Sequence, residues 1–320
     1  MAKPWTEILR TFGRSLIERL CSLLLTISVL AGFLAPLVAR AQDYAPPRPK
    51  FALLIGNGDY DENSKFTKKM DTPKGRLTDL KNPCHDIELI EARLLQKKWL
   101  PGNIFKRCNA TKSDFLSLLA DFSQSYMQSS NPFGLIYYAG HGIQIGPTTY
   151  VFGVDTQANL NQVKEIWKKF GPAGNLFKGG IRLREEILSS IGALGDGTIL
   201  IVLDACREDP IIPMLKKDVD AKVAISGPSI APSPAPVPGI KYLFSTADGQ
   251  LADDGVGDNS PFAEVFASEL AAPGSVKVTD LISKAVFNVY TNTKDNSLPQ
   301  VPEETGTLRP PPPENCFGSC

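Results

Sequence analysis

The chain has 320 residues, of which 42% are hydrophobic and 21% are charged, a composition typical of a folded protein with a sizeable core. Lys and Arg total 34 and Asp and Glu total 34, so no net field attracts nucleic acid or anionic lipid. Any charge selectivity must therefore be local.

Residues 1–41 have the pattern of a secretory signal peptide. Basic residues precede an apolar stretch over 20–34, and Ala39-Arg40-Ala41 offers a small-residue cleavage site after the helix-breaking Pro36. The alternative is an uncleaved anchor, because residues 20–39 are about long enough to span a bilayer. The first interpretation predicts a periplasmic or secreted protein, and the second predicts a membrane-anchored domain outside the cytoplasm.

Predicted strands and helices alternate after a Pro-rich lead-in over 42–50. Short apolar runs predict strands, and apolar residues at helical spacing predict amphipathic helices. The predicted strands cover 51–55, 103–107, 133–136 leading towards His141, 150–154, 198–204 and 241–246. The predicted helices cover 86–99, 111–127, 182–191, 261–270 and 279–290, the last with Thr279 as N-cap. This alternation predicts an α/β fold, a three-layer α/β/α sandwich on a mainly parallel sheet.

Two Pro-rich regions depart from this alternation. Residues 209–238 combine Pro with Ser and Ala, which predicts an exposed, flexible linker open to proteolysis. A second Pro-rich stretch near the carboxyl terminus predicts a tail over 303–320. The length would also suit two small domains, but the order of elements favours one folded domain over 51–302.

The cysteine count indicates one unpaired thiol. Of six cysteines, Cys21 falls inside the predicted signal, and an odd number in an exported chain leaves one without a partner. We expect Cys206 to be that thiol. The hypothetical pairs are Cys84 with Cys108, which a predicted helix start and strand end bring to one sheet edge, and Cys316 with Cys320 in the tail.

Cys206 and His141 each follow a predicted strand. Chemistry collects at the carboxyl ends of strands in open α/β sheets. A cysteine is nucleophilic as a thiolate. A nearby imidazole favours the thiolate by accepting the thiol proton, and it can donate a proton to a leaving amine. The only other histidine, His85, lies in a polar stretch before a helix. We therefore expect Cys206 as nucleophile and His141 as acid/base, the alternative being a structural histidine and a buried small hydrophobe.

A set of short segments over residues 51–302 is shared with one family of peptidases. They are Ile55-Gly56-Asn57 with Tyr60, Gly140-His141-Gly142, Asp204-Ala205-Cys206-Arg207, Ser245-Thr246-Ala247, Gly249-Gln250-Leu251-Ala252 and Asn259-Ser260-Pro261-Phe262. On these segments the chain resembles the caspase-like cysteine peptidases, and specifically their bacterial metacaspase-like branch. This resemblance implies a Cys206/His141 dyad, with the backbone amides of Gly142 and Cys206 as oxyanion donors.

Asp204 indicates the specificity within this resemblance. Caspases carry Gln-Ala-Cys and a basic pocket for aspartate, whereas this chain has Asp204 before Ala205 and Glu208 in place of the usual glycine. The resemblance also implies a second pocket acid at the start of the first helix, and Asp86 has the matching position. Two carboxylates would bind Arg or Lys. The alternatives are a helix-dipole role for Asp86 and a strand-end cap at Asp204.

No cofactor or metal is predicted from the remaining motifs. Gly56-x-Gly58 lacks the third glycine of a dinucleotide loop, and no phosphate-binding loop is present. Some metacaspases are calcium-activated, and a candidate calcium loop carries Asp248, Asp253, Asp254 and Asp258, although its spacing fits no EF-hand and a solvated surface is the alternative.

The expected function is that of an exported cysteine endopeptidase that cleaves protein or peptide substrates after Arg or Lys through an acyl-enzyme. Its partners would be those substrates, with no nucleic acid, and with a membrane only if the first segment stays uncleaved. The alternative is a catalytically idle module of the same fold that binds a protein partner, with the Pro-rich ends as docking segments.

Overall fold

The computed structural model describes residues 48–60, 77, 79–145, 148–157, 165–166, 169, 177–191, 196–205, 237–247, 250, 252–296, 299–309 and 315–318. The predicted signal over 1–41 and nearly all of the predicted linker lie outside these ranges. Within them, no helix is both long and apolar enough to cross a bilayer.

The described elements alternate along the chain. The helices are α1 (Pro83–Gln96), α2 (Lys112–Met127), α3 (Leu183–Ile191), α4 (Pro261–Leu270) and α5 (Val278–Thr293). The strands are β1 (Lys50–Gly56), β2 (Ile104–Cys108), β3 (Phe133–Ala139), β4 (Gly142–Ile145), β5 (Thr148–Gln157), β6 (Lys178–Arg182), β7 (Thr198–Asp204), β8 (Ile240–Phe244), β9 (Val276–Lys277), β10 (Glu303–Gly306) and β11 (Cys316–Phe317).

A six-stranded sheet in the order β10-β8-β7-β3-β1-β2 forms the centre of the domain. Its neighbouring strands run parallel except at the edge, where β10 is antiparallel to β8. Strands β4, β5 and β6 form a separate antiparallel sheet, and β9 pairs with β11. The α/β prediction on a mainly parallel sheet is therefore confirmed.

The central strands bury both faces, which is why their sequences are continuous apolar runs rather than alternating ones. In β7, Leu200 and Val202 pack in the core shared with α1, α4 and α5, whereas Ile201 and Leu203 pack in the core shared with α2 and α3. The two helix groups thus cover opposite faces and complete the three-layer sandwich. The same alternation directs Asp204, two residues after Val202, towards the α1 and α4 layer.

Several boundaries differ from the predictions. Helix α1 begins at Pro83 rather than at 86, because proline suits the first helical position. It ends at Gln96 rather than at 99, because Lys98 has a left-handed backbone conformation (φ +65°) that a helix cannot contain. The N-cap of α5 is Lys277, so the prediction of Thr279 is wrong; the Thr279 hydroxyl instead contacts Asp280 at 3.5 Å.

Two short strands lie beyond the predicted domain boundary at 302. Strand β10 pairs with β8 from Glu303 opposite Phe244, and β11 pairs with β9 from Phe317 opposite Val276. The sequence of β10 is polar because an edge strand is solvated, and it therefore lacks the apolar run that predicts a strand. Residues 303–306 and 316–317 of the predicted tail thus pair with strands of the domain, so the described fold extends beyond the predicted boundary at 302.

Replacing Phe317 with Ala is expected to destabilise the domain by about 3–5 kcal/mol, the usual cost of deleting a buried phenyl ring. Phe317 is fully buried, stacks on Trp99 with ring centroids 5.8 Å apart, and meets Phe133 edge-on at 5.4 Å. Urea unfolding followed by circular dichroism measures the loss. Phe287, which is 68% exposed on α5, is the matched control, and its replacement by Ala should change stability by less than about 0.5 kcal/mol.

Candidate active site

The register of β3 against β7 brings the two chemically important segments to one sheet edge. Ala139 pairs with Asp204, and the Gly140 amide donates to the Asp204 carbonyl over 3.2 Å. His141 follows Ala139 by two residues, and Cys206 follows Asp204 by two residues in the sequence. Cys206 lies outside the described residues, so the structure places the imidazole but gives no thiol position.

The backbone of His141 is fixed by two buried tyrosines. Its amide donates to Tyr60 Oη over 3.0 Å, and its carbonyl accepts from Tyr138 Oη at 2.8 Å. The ring of Tyr60 lies against the imidazole, with ring centroids 4.8 Å apart and planes inclined by 55°. Both hydrogen bonds are made by the main chain, so they fix the backbone that carries the half-buried imidazole.

The glycines around His141 have different roles. Gly140 has φ +150°, and a Cβ there would come within 2.7 Å of Tyr138 Oη and 2.8 Å of Tyr60 Oη, so a side chain would displace the two tyrosines. Gly142, the predicted oxyanion donor, begins β4 and pairs with Val151. The Gly-His-Gly motif therefore lets the chain turn sharply out of β3 into the small sheet.

The two predicted pocket acids lie together. Asp86 is in the first turn of α1 and 1% exposed, and Asp204 is the last residue of β7 and 6% exposed. Both line a cleft of about 30 Å³, with Gly140 and Ser260 on its wall. Within the part of the chain that the structure describes, neither carboxylate has an ion-pair partner. The site is thus a buried acidic cleft, and Gly140 on its wall directly precedes His141 in the chain.

Neutral donors hold one oxygen of each carboxylate. Asp86 Oδ1 accepts from Asn259 Nδ2 and from the Ser260 amide, each at 3.0 Å. Asp204 Oδ2 accepts from the Ser260 hydroxyl and from Tyr137 Oη, the latter at 3.3 Å. These hydrogen bonds orient the carboxylates without neutralising them.

The electrostatics of this cleft favour an incoming cation. Burial raises the pKa of both carboxyl groups, and the Asp204 charge further raises the pKa of Asp86. Hydrogen bonds from Asn259 and Ser260 oppose the rise at Asp86, and those from Ser260 and Tyr137 oppose it at Asp204. Two buried like charges repel, and a cation between them would relieve both the repulsion and the desolvation.

A disulfide anchors the start of α1. Cys84 is bonded to Cys108, the last residue of β2, with Cα atoms 5.2 Å apart, so the predicted pairing is confirmed. The bond lies two residues before Asp86 and therefore ties the first turn of α1 to the sheet edge. Cys316 is also disulfide-bonded, and its partner lies outside the described residues.

The candidate calcium loop contacts the two residues that precede α1 through Asp254 and Asp258. Asp254 accepts from the backbone amides of Lys81 and Asn82 at 2.7 and 3.3 Å, and Asp258 forms an ion pair of 3.5 Å with the Lys81 ammonium. Among the described residues, no group of three or more His, Cys, Asp or Glu side chains is placed to hold a metal ion. Asp248 lies outside the described residues, and calcium activation stays a prediction.

Three residues that shape the site have no role predicted from the sequence. Tyr60 and Tyr138 hold the His141 backbone, and Ser260 contacts both acids. Ser260 is recognisable in the sequence as an N-cap, because it precedes Pro261 at a helix start. No local pattern relates it to Asp204, since that contact depends on the packing of α4 against β7.

A family model described as the caspase domain matches residues 49–311. No curated protein gave a match. The matched region includes every strand of the central sheet, both acids of the cleft, His141 and Cys206.

Proposed function

The chain belongs to the caspase domain family of cysteine peptidases, and from this premise we propose that it is an exported endopeptidase, of the metacaspase-like branch, that cleaves after Arg or Lys. The observation that carries the specificity is the buried acidic cleft. Asp86 and Asp204 line it together, and no described cation neutralises them. A guanidinium or ammonium group is the complementary ligand, and a guanidinium fork can engage two carboxylates at once.

In the proposed mechanism, the Cys206 thiolate attacks the scissile carbonyl carbon. His141 accepts the thiol proton and returns it to the amine that leaves, which produces a thioester. Water, deprotonated by His141, then hydrolyses the thioester and restores the thiol. The backbone amides of Gly142 and Cys206 would stabilise the oxyanion formed in both steps.

The shared sheet edge supports this arrangement of roles. Gly140 lines the cleft together with Asp204, and its amide bonds to the Asp204 carbonyl. A basic side chain bound between Asp86 and Asp204 would thus hold its own carbonyl next to the strand ends that precede His141 and Cys206. Binding in the cleft and attack by the dyad would act on the same residue of the substrate.

Export is proposed from the first 41 residues, and the Cys84–Cys108 disulfide supports it, since disulfides persist in oxidising compartments. Mass spectrometry of the mature amino terminus tests this proposal. Cleavage after Ala41 would support a signal peptide, and an intact amino terminus in the membrane fraction would support the anchored alternative.

Purified protein should hydrolyse fluorogenic peptides that end in Arg or Lys at least about 100-fold faster than peptides that end in Asp, because an acidic side chain would add another like charge to a cleft already lined by Asp86 and Asp204. Initial rates at saturating and subsaturating substrate give kcat and KM for each peptide. Preference for Asp would contradict the specificity proposal and leave the dyad intact, whereas no hydrolysis of any peptide would favour the idle binding module.

A further inference from the structure

Ser260 connects the two buried acids. Its backbone amide donates to Asp86 Oδ1 over 3.0 Å, and its hydroxyl contacts Asp204 Oδ2. Ser260 is itself buried, with 3% of its surface exposed. Among the described residues it alone hydrogen-bonds to both carboxylates. A displacement of Ser260 would therefore move both acids relative to each other.

The direction of the hydroxyl proton follows from the N-cap geometry. Ser260 Oγ accepts from the Ala263 amide over 2.9 Å at the start of α4. An amide can only donate and an ionised carboxylate can only accept, so the single hydroxyl proton of Ser260 is committed to Asp204. Helix α4 thereby fixes a charge-assisted hydrogen bond to the pocket acid at the end of β7.

The donors on Asp86 leave its second oxygen for a ligand. Asn259 Nδ2 and the Ser260 amide both bind Oδ1, and no described residue donates to Oδ2. A bound guanidinium or ammonium group needs one acceptor from each acid at a fixed separation. Ser260 determines that separation, because it is hydrogen-bonded to both side chains and anchored by the first turn of α4.

We propose that Ser260 is a specificity-positioning residue for basic substrates, whose hydroxyl and amide hold Asp204 and Asp86 at the spacing that recognises a cation. This inference rests on the proposed function of the cleft. It assigns Ser260 no contact with the reacting atoms. Loss of its hydroxyl should therefore weaken recognition of the basic side chain and leave the reactivity of the catalytic thiol unchanged.

The test compares peptides that end in Arg with peptides that end in citrulline, its neutral analogue of similar shape. Ser260→Ala and Ser260→Gly should raise KM for the Arg peptide about tenfold, the usual effect of losing a hydrogen bond to a charged group. The ratio of kcat/KM for the Arg peptide to kcat/KM for the citrulline peptide should fall by the same factor. The kcat for the Arg peptide should stay within about twofold of the wild-type value. Alkylation of Cys206 by iodoacetamide should keep its rate, and Ser260→Thr should restore the ratio.

Thr111→Ala is the matched control for the capping role, because Thr111 caps α2 through the Asp114 amide and contacts neither acid. Glycine at 260 retains most of the capping preference, which separates the hydroxyl contact from helix stability. An unchanged ratio of Arg to citrulline in both Ser260 variants, or equal effects in Thr111→Ala, would overturn the inference. A wild type without preference for Arg would instead refute the proposed specificity, and the inference would fall with it.

Discussion

Replacement of Cys206 or His141 by Ala is expected to lower kcat on Arg peptides by a factor on the order of 10³ or more. A thiol with its ordinary pKa is mostly protonated near neutral pH, and an isolated thiolate cannot protonate the leaving amine. Each variant removes one member of the Cys206/His141 dyad, and neither member is effective without the other. The double variant should therefore be about as inactive as either single variant.

His141→Ala is a specific test because the structure separates the ring from the backbone. The amide of residue 141 donates to Tyr60 Oη, and its carbonyl accepts from Tyr138 Oη. Alanine keeps both of these groups, so the turn after β3 should persist and only the imidazole is lost. Thermal unfolding of each variant checks that the domain remains folded.

His85→Ala is the matched control for the loss of an imidazole. His85 is exposed in the first turn of α1, next to Asp86 in the chain. The His85→Ala variant should keep kcat within about twofold of the wild-type value. Equal losses in the two histidine variants, or more than about a tenth of wild-type kcat in His141→Ala, would contradict the dyad.

The sequence predicts the centre of this fold better than its margins. Strands β1, β3 and β7 are covered on both faces, and burial on both faces requires the continuous apolar runs that predict strands. The edge strands have weaker sequence signals. Strand β10 is polar and β11 has only two residues, so neither has the apolar run that would distinguish a strand from the surrounding Pro-rich sequence.

The candidate site divides in a similar way. Asp86 and Asp204 were predicted as partners, and the structure brings them to one cleft. The resemblance supplied that pairing, because composition and spacing alone do not relate a residue of α1 to the end of β7. Ser260 and Tyr60 act through contacts that span many residues of sequence, and such contacts appear only when the layers pack. Cys206 stays a prediction, since it lies outside the described residues.

Asp204→Asn and Asp86→Asn are each expected to lower kcat/KM for Arg peptides by about 100-fold, since loss of one charged partner of a buried cation costs several kcal/mol. The loss should be smaller for citrulline peptides, because these carry no charge. The matched control is Asp258→Asn, whose carboxylate is 89% exposed and paired with Lys81, and it should leave kcat/KM within about twofold.

The same variants should stabilise the ligand-free protein. Burial raises the pKa of both acids above that of an exposed carboxyl, so the folded state binds protons more tightly than the unfolded state. The wild type should therefore lose stability as pH rises above about 4, through the raised pKa values of the folded state. Burial, the Asp204 charge and the Asp254 charge all raise the pKa of Asp86, and Asp204→Asn removes one of these causes. The variant should therefore lose less stability than the wild type as pH rises.

Thermal unfolding between pH 4 and 9, with and without an Arg peptide, measures both effects in one series. Ionisation of the two acids destabilises the free protein, but an Arg side chain binds only the ionised carboxylates. The affinity for the Arg peptide should therefore rise over the same pH range in which the free wild type becomes less stable. Asp204→Asn should show a higher Tm above neutral pH and almost no stabilisation by the peptide. If instead it unfolds at lower Tm than the wild type throughout this range, Asp204 has a structural role in capping β7, and the cleft would not be a cation site held under electrostatic strain.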